Sequence, residues 1–311
     1  MPSYVTKRLD FDNFLLEECK KRDNIEIREG VNIEVHTRTA DGWLLSDKKG
    51  TVEIKCRLVI VANGANSMFA RHVGNIQMEP KHHAGAVRAY YKNVERIHPD
   101  NYIELHFLKK YLPGYFWIFP LPNGEANVGF GMLTDTISNR KVNLKKTLQE
   151  IVDEVPEVAA RFKNAELIGD VVGYGLPLGS KKHVISGDNY MLIGDAAHLI
   201  DPLTGEGIGN AIYSGYIAAD TALKCLEVND FSASFLKGYD ERVYRVMGME
   251  LKVSYQMQKL LKRPLVFNFI LKLAAKNVQF SDLIYAMFKD IDVRKRLLNP
   301  VFWWKLVLNK A

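Results

Sequence analysis

The chain has 311 residues, enough for one large domain or two ordinary ones, since domains typically run to about 100–200 residues. A hydrophobic content of 47% and a charged content of 25% are those of an ordinary folded, soluble protein. The apolar runs fall short of the roughly 18 residues that span a bilayer, and the N-terminal segment lacks the apolar core of a signal peptide, so we expect a cytoplasmic protein. The wide spacing of Cys19, Cys56 and Cys225 disfavours a disulfide framework or a zinc site. We therefore expect buried thiols and no metal.

The net charge of +6 is unevenly distributed. Residues 240–311 carry 14 Lys and Arg and 6 Asp and Glu, a net charge of +8, which leaves −2 for the residues before them. A basic segment rich in aromatic residues favours an acidic partner, such as nucleic acid, an anionic membrane surface or a diphosphate. Because no known nucleic-acid-binding motif accompanies it, we expect no nucleic-acid partner.

The N-terminal third predicts a helix followed by strands. Phe11 and Phe14 fall at helical spacing, and Asp10 or Asp12 could cap the helix. Two alternating segments then predict strands, at residues 24–38 and 43–56.

A different kind of strand follows. Residues 58–62 are uninterrupted apolar, which is typical of a strand buried on both faces of a sheet with parallel members. A turn at Asn63 and Gly64 ends it. Residues 82–131 then predict more sheet, with a hairpin turn at 122–124. Beyond it, residues 144–162 predict an amphipathic helix broken near Pro156.

The segment from Leu192 to Ile212 combines a strand end with a glycine-rich helix start. Asp195 follows a short apolar strand at 190–193, and ligands of α/β sheets bind beyond the carboxyl ends of strands. Glycines in the turn would let the main chain approach a ring or phosphate closely, and the helix start offers N–H groups and a positive dipole end. The alternative is an ordinary strand-turn-helix with a structural Asp and flexible glycines.

The sequence GDAAHLIDPLTGEGIGNAI (194–212) resembles the second flavin-contact motif of the superfamily of FAD-dependent monooxygenases and geranylgeranyl reductases. The PLTGEG turn is closer to the reductase branch. The resemblance implies that Asp195 bonds the ribityl chain of FAD and that the 203–209 backbone lies against the isoalloxazine ring. The cofactor-binding residues it implies in this segment are Gly194, Asp195, Pro202, Leu203, Thr204, Gly205, Gly207, Ile208 and Gly209.

The sequence LVIVANGANSMFAR (58–71) is similar to the central fingerprint of the same superfamily. Gly64, Ser67 and Arg71 match that pattern, and Asn63 stands where the pattern has Asp. Since Asn keeps the shape but loses the charge, the resemblance carries only a structural role to Asn63 and implies cofactor contact at Gly64. A strand that simply ends in a turn is the alternative.

The N-terminal segment YVTKRLDFDNFL (4–15) resembles a family segment whose arginine reaches the cofactor. Arg8 is the matching residue, and a surface arginine is the alternative. In the family this segment follows a G-x-G-x-x-G βαβ unit, which this chain does not contain. We therefore expect about 100 residues of the family's opening to be absent. The chain would then be a truncated gene product or gene model, or a separate polypeptide would supply that unit.

The sequence GYFWIFPLPNGEANVGFGM (114–132) resembles the reductase pattern Tyr-x-Trp-x-Phe-Pro followed by Gly-x-Gly. In the family this strand pair forms the floor of the substrate cavity. Alternate aromatic residues on one face make a broad apolar wall, and glycines on the partner strand leave room for a long ligand. A plain core stripe is the alternative. The substrate-binding residues that this implies are Tyr115, Trp117, Phe119, Pro120, Gly129 and Gly131.

The C-terminal region predicts helices with breaks at Pro264 and Pro300. Segments 263–276 and 294–310 mix Lys and Arg with Phe, Trp and Leu, as helices at a membrane interface do. Peripheral contact at the inner face of the membrane is therefore one hypothesis. Core-packing helices with basic outer faces are the other.

The predicted fold class is α/β (α+β), with an FAD-binding Rossmann-like domain that is N-terminally incomplete, an inserted antiparallel-sheet substrate domain and C-terminal helices. We expect the FAD-binding domain at 1–76 and 184–228. The substrate-binding sheet domain is expected at 77–183 and the helical region at 229–311.

The resemblance implies an FAD-dependent oxidoreductase that reduces carbon–carbon double bonds of an isoprenoid substrate, a polyprenyl lipid or diphosphate. The electrons would come from NAD(P)H or another donor. The sequence identifies no catalytic residue: His198 and Glu206 lie near the flavin motif, but packing and helix-dipole roles explain them equally well. The alternatives are an FAD-dependent monooxygenase or halogenase of the same superfamily, and a non-catalytic remnant.

Overall fold

The structure is a computed structural model that describes residues 4–287, 290–299 and 301–302. Within these residues the strands are β1 (Val35–Thr39), β2 (Gly42–Ser46), β3 (Glu53–Cys56), β4 (Val59–Val61), β5 (His83–Lys92), β6 (Glu104–His106), β7 (Tyr115–Pro120), β8 (Glu125–Leu133), β9 (Glu166–Pro177), β10 (Ser186–Gly187) and β11 (Tyr190–Leu192). The α-helices are α1 (Arg8–Lys20), α2 (Met68–His72), α3 (Thr134–Arg140), α4 (Leu144–Glu154), α5 (Pro156–Phe162), α6 (Ile208–Val228), α7 (Ala233–Leu261), α8 (Pro264–Ala274), α9 (Val278–Met287) and α10 (Ile291–Leu298).

The chain divides into two compact units. The first comprises Met1–Ile33, Asp47–Val52 and His83–Gly175. The second comprises Glu34–Ser46, Glu53–His82 and Leu176–Ala311. The predicted α/β class with an inserted antiparallel sheet is confirmed. The three-part domain division drawn from the sequence stays a prediction.

The first unit is built on a five-stranded sheet of order β6-β7-β8-β5-β9, in which β6–β7, β7–β8 and β8–β5 are antiparallel pairs. One face is covered by α4 and α5. Phe116, Ile118 and Phe130 point to that face and are fully buried, and they pack against Leu148 and Ile151 of α4. Buried and half-buried residues alternate strictly along β7, so its buried residues face the helices and its half-buried residues face the opposite side of the sheet.

The other face of this sheet, called the aromatic face below, carries Tyr115, Trp117 and Phe119, all half-buried. Across the strand pair, Trp117 lies opposite Gly129. A Cβ atom at Gly129 would lie far inside the 3.0 Å that real Cβ atoms keep from their neighbours, because the Trp117 indole occupies that space. The predicted free room at this glycine is therefore wrong, since the indole fills it.

The second unit holds two small sheets, β1-β2-β3 and β10-β11-β4. In the second sheet β4 and β11 are parallel, with Tyr190 opposite Val59 and Leu192 opposite Val61. The parallel pairing expected of the strand at residues 58–62 is thus confirmed. The expected burial of residues 58–62 on both faces of the sheet is wrong, because Ile60 is 39% exposed while Val61 is buried.

Three local expectations at the N-terminal end are wrong. Residues 24–34 form turns and irregular chain, and β1 begins only at Val35. Helix α1 begins at Arg8, so Asp10 and Asp12 both lie inside the helix and do not cap it. Its residues are all exposed or half-buried, and Cys19 is accordingly an exposed thiol, whereas Cys225 is buried as expected.

The C-terminal region forms α7 to α10, and Pro264 begins α8 after the expected break. Met257, Ile270 and Phe280 are buried in a cluster that α7, α8 and α9 share. Core packing therefore accounts for part of this region. No helix in the described ranges has the length and apolar composition needed to cross a membrane. Pro300 and residues 303–311 lie outside the described residues.

We expect Gly129→Ala to lower the free energy of unfolding by about 1–3 kcal/mol, because the new methyl group overpacks a filled position. Gly131→Ala is the matched control on the same strand. Its Cβ would approach Ala86 Cβ at 3.5 Å, an ordinary van der Waals contact. Urea unfolding of both variants tests this, and equal stability of the two would contradict the close packing around Gly129, where the Val87 carbonyl also lies within reach of a new methyl group.

Asp240, on α7, is a buried carboxyl group. Its Oδ2 accepts a hydrogen bond from the Ile185 N–H at 3.0 Å, and Oδ1 has no hydrogen-bond partner within the described part of the chain. Desolvation by burial raises the pKa of Asp240 above its usual value. The folded state therefore holds this proton to a higher pH than the unfolded chain does.

The stabilisation from that proton is complete below the ordinary carboxyl pKa and is lost as pH rises through the raised pKa. We expect the free energy of unfolding to fall across this window and Asp240→Asn to flatten the fall, as measured by urea unfolding at a series of pH values. Asp220→Asn is the control of opposite sign, because the Arg242 hydrogen bond lowers the pKa of Asp220. A pH profile that Asp240→Asn leaves unchanged would refute the prediction.

Candidate functional site

Two turns meet at one edge of the β10-β11-β4 sheet. Because β4 and β11 are parallel, their carboxyl ends lie side by side, and the Ile193 N–H donates to the Val61 carbonyl at 3.1 Å. Gly64, with φ +77°, turns the chain after β4, and Gly194 turns it after β11. The two segments that the sequence singled out are thus brought together in the second unit.

Ser67 and Arg71, which match the same family fingerprint as Gly64, have local structural roles. Ser67 caps α2, its Oγ accepting a hydrogen bond from the Ala70 N–H at 3.0 Å. Arg71 donates from Nη2 to the Asn66 carbonyl at 3.1 Å. These bonds stabilise the helix that follows the turn.

Gly194 is required by close packing against α6. It has φ +55°, a backbone conformation that favours glycine, and a Cβ there would lie 2.9 Å from Ala211 Cβ. Its N–H donates to the Oγ of the fully buried Ser214 at 3.0 Å. The strand end and the helix are therefore held at a fixed separation.

The half-buried Asp195 carboxylate lies beside the start of α6. A Cβ at Gly207 would stand 3.3 Å from Asp195 Oδ1 and 3.0 Å from Ile200 Cγ1, so glycine lets the helix start approach the carboxylate. Gly207 is the N-cap of α6 and supplies no side-chain cap to the first turn. At Gly209 a Cβ would meet no heavy atom within 4 Å in the described part of the chain. A carboxylate acceptor, helix N–H groups and open space therefore adjoin one another.

The turn of residues 201–207 is held by the buried Asp201. Its Oδ1 accepts hydrogen bonds from the Leu203 N–H at 2.8 Å and the Thr204 N–H at 2.9 Å. Its own main chain bonds Gly205 and Glu206, at 3.0 Å and 2.8 Å. The expected role of Pro202, Leu203 and Thr204 thus rests on the Asp201 carboxylate, which belongs to none of the predicted site residues.

The second oxygen of Asp201 binds side chains of the C-terminal helices. Oδ2 accepts from Ser254 Oγ of α7 at 2.6 Å and from Arg294 Nη1 of α10 at 2.8 Å. Arg294 also donates from Nε to the Met287 carbonyl at 2.6 Å. We call Asp201, Ser254 and Arg294 the Asp201 network. All three residues are buried.

Part of this network carried a sequence signal. An Asp followed by Pro-Leu-Thr is a typical side-chain-to-main-chain turn, which predicts the Oδ1 bonds of Asp201. No local signal in the sequence points to Arg294. It belongs to the basic segment 294–310, for which a membrane-interface helix or a helix with a basic outer face was expected. Its burial opposite Asp201 corrects that grouping.

His198 is buried and has φ +54°. Its ring lies edge-on to that of His183 at a centroid distance of 5.0 Å. Burial, together with nearby Lys181, lowers the pKa of His183. These contacts describe a packed histidine pair, so a proton-donor role for His198 stays a hypothesis.

The predicted substrate residues fall on two faces of the first unit's sheet. Trp117 is fixed on the aromatic face, where its Nε1 donates to Asn127 Oδ1 at 3.1 Å. Gly129 and Gly131 lie on the same face through their pairing with Trp117 and Tyr115. Pro120 is buried and alternates onto the helix-covered face. It therefore does not share the wall that the sequence assigned to it.

Arg8 lies at the start of α1, in the first unit. Its guanidinium binds the Asp12 carboxylate through two nitrogens at 3.0–3.1 Å, and both side chains are about half exposed. Its backbone N–H donates weakly to the Tyr90 hydroxyl at 3.4 Å. The cofactor role implied for Arg8 stays a prediction.

Comparison with known proteins agrees with this fold. The sequence profile described as the geranylgeranyl reductase catalytic domain matches residues 83–173. A geranylgeranyl bacteriochlorophyll reductase-like protein of Thermoplasma acidophilum has a TM-score of 0.64 and 29% identity, covering 73% of this chain and 56% of that one. A flavin-dependent brominase variant has a TM-score of 0.70 at 20% identity, over 96% and 76%. At that identity the likeness concerns the fold alone, which is one that reductases and flavin-dependent halogenases share.

The digeranylgeranylglycerophospholipid reductase of Methanocella arvoryzae is 30% identical over 320 residues, covering 98% of this chain and 75% of that protein. Digeranylgeranylglycerophospholipid reductase 1 of Methanopyrus kandleri is 33% identical over 250 residues, covering 77% of this chain. This chain belongs to the geranylgeranyl reductase family. It spans 63% of the length of the Methanopyrus kandleri relative and of a Methanoculleus marisnigri relative.

We expect Arg294→Met to lower the free energy of unfolding by about 3–5 kcal/mol, because it leaves the buried Asp201 carboxylate without its cation. Hydrogen exchange at the Leu203 and Thr204 amides should accelerate, since both are bonded to Asp201. Lys295→Met is the matched control on the same helix, where an exposed pair with Asp292 contributes about 0–1 kcal/mol. Unchanged amide exchange in Arg294→Met would show that the network does not hold the turn.

Proposed function

We propose that this protein is an FAD-dependent oxidoreductase that reduces carbon–carbon double bonds of a polyprenyl lipid or diphosphate. Family membership supports the reaction class. The observation that carries the cofactor assignment is the position of the Asp195 carboxylate, beside the N-terminus of α6 and at the same sheet edge as Gly64.

The donor set of the second unit suits a flavin nucleotide. Asp195 offers a carboxylate to the hydroxyls of a ribityl chain. The backbone of Leu203 to Gly209, held by the Asp201 network, offers N–H groups and little side-chain bulk to a ring. Gly64 and Gly194 keep both turns tight. Arg8 is proposed as a further contact, on the resemblance alone.

In the first unit, the aromatic face would hold the polyprenyl chain. Tyr115, Trp117 and Phe119 form a continuous apolar surface, with ring centroids 5.9 and 6.1 Å apart along the strand. Gly129 contributes by leaving free the space that the indole occupies. Apolar walls with few polar groups are typical of lipid sites.

The bound FAD, once reduced, would supply the hydride for the double bond. The chain's own residues would bind the cofactor, orient the alkene and exclude water. The proton for the second carbon requires a donor, and His198 and water are the candidates that the second unit offers. NAD(P)H or another donor would provide the electrons.

Peripheral membrane contact is a further part of this proposal. On α8, Leu265 is 86% exposed and Phe269 is 47% exposed, and Arg263 and Lys272 lie at its ends. Exposed apolar side chains flanked by cations favour binding to an anionic lipid surface.

We expect the purified protein, supplied with FAD and reduced anaerobically with dithionite, to add two hydrogen atoms to each double bond it reduces in a geranylgeranyl lipid. Mass spectrometry of the extracted lipid measures this. Asp195→Ala should weaken FAD binding roughly tenfold or more, because a hydrogen bond to a charged acceptor contributes about 1.5–3 kcal/mol.

The matched control is Asp188→Ala. It removes an exposed carboxylate that lies just before the N-terminal end of β11, whereas Asp195 follows the C-terminal end of that strand. Flavin fluorescence titration compares the two variants. Equal FAD affinity in both would remove Asp195 from the cofactor site. Oxygen consumption with hydroxylated or halogenated product, and no hydrogenated lipid, would favour the monooxygenase or halogenase alternative.

A further inference from the structure

Arg88 lies on the aromatic face, next to its centre. Gly129 pairs with Trp117 on one side and with Arg88 on the other. Directly paired residues of antiparallel strands point to the same face of a sheet, so Arg88 and Trp117 flank the glycine. A cation therefore adjoins the apolar surface proposed for the polyprenyl chain.

Two tyrosines frame the Arg88 guanidinium. Its Cζ lies 4.3 Å from the ring centroid of Tyr90 and 5.7 Å from that of Tyr174, and Nη2 donates to the Tyr174 hydroxyl at 3.2 Å. Ring contacts restrict the side chain without neutralising its charge. A guanidinium has five N–H donors, so this arrangement leaves several for a ligand.

Two nearby cations already have acidic partners. Lys92 Nζ lies 2.9 Å from Glu166 Oε2, and Lys7 Nζ lies 2.5 Å from Glu125 Oε2. No carboxylate among the described residues lies within 4.0 Å of the Arg88 nitrogens. Arg88 thus differs from Lys7 and Lys92 in having no acidic partner among the described residues.

We propose that Arg88 binds the phosphate of an anionic prenyl ligand whose chain lies along Tyr115, Trp117 and Phe119. The prenyl part of this assignment rests on the proposed function. The anionic part rests on the geometry of Arg88, since a planar guanidinium with free donors matches phosphate oxygens. Arg88 then distinguishes phosphorylated prenyl compounds from prenyl alcohols.

The test compares three probes, each without flavin: geranylgeranyl diphosphate, geranylgeraniol and inorganic pyrophosphate. Titration calorimetry measures the affinity of the full chain for each one. The wild type should bind the diphosphate most tightly. Arg88→Gln should lose roughly tenfold to hundredfold in affinity for the diphosphate, the effect of removing a charge-assisted contact, and little for the alcohol.

Lys92→Gln is the matched control, because it removes a cation four residues along the same strand that already has an acidic partner. It should leave both affinities unchanged. Thermal unfolding of both variants checks that the sheet is intact.

The assignment is overturned if Arg88→Gln binds the diphosphate as tightly as the wild type, or if Lys92→Gln loses as much affinity. It is also overturned if the wild type prefers the alcohol, binds none of the probes, or binds pyrophosphate as tightly as the prenyl diphosphate. Because no probe requires flavin, absence of alkene reduction would refute the proposed function and leave this result standing.

Discussion

The buried Asp201 carboxylate is the interaction on which the second unit's candidate site depends. A buried charge is tolerated only when it is paired and hydrogen-bonded. One oxygen of Asp201 is satisfied by main-chain N–H groups of the 201–207 turn, and the other by Ser254 and Arg294. Moving the turn would break bonds on both sides of the carboxylate. The backbone that we assign to the flavin is therefore fixed before any ligand arrives.

A second constraint comes from parallel pairing. Neighbouring parallel strands need a crossover connection, and here the chain between β4 and β10 includes the whole five-stranded sheet of the first unit. The carboxyl ends of β4 and β11 nevertheless share one edge. Gly64 and Asp195, far apart in the sequence, become neighbours of the same sheet edge for that reason alone.

Much of this architecture is predictable from the sequence, because its signals are local. The apolar runs of β4 and β11, the hairpin at residues 122–124 and the helix break at Pro156 were all predicted and are found. The turn after β11 was identified from its glycines and from Asp195.

The features that escaped prediction depend on contacts between distant residues. Pro120 belongs to a motif, but its face is decided by the register of β7. The space at Gly129 is decided by how the Trp117 indole lies across the strand pair. Arg294 resembles its basic neighbours in sequence, and only its burial opposite Asp201 distinguishes it. Motifs mark where chemistry can occur, whereas packing decides which side chains take part.

The Asp201 network also sets an order of events during synthesis. Asp201 and Arg294 are separated by 93 positions, and a ribosome releases the N-terminal partner first. While Arg294 is still untranslated, the carboxylate lacks its cation, although the bonds within the turn itself are local. The ion pair that neutralises this buried carboxylate can therefore form only after α10 has emerged.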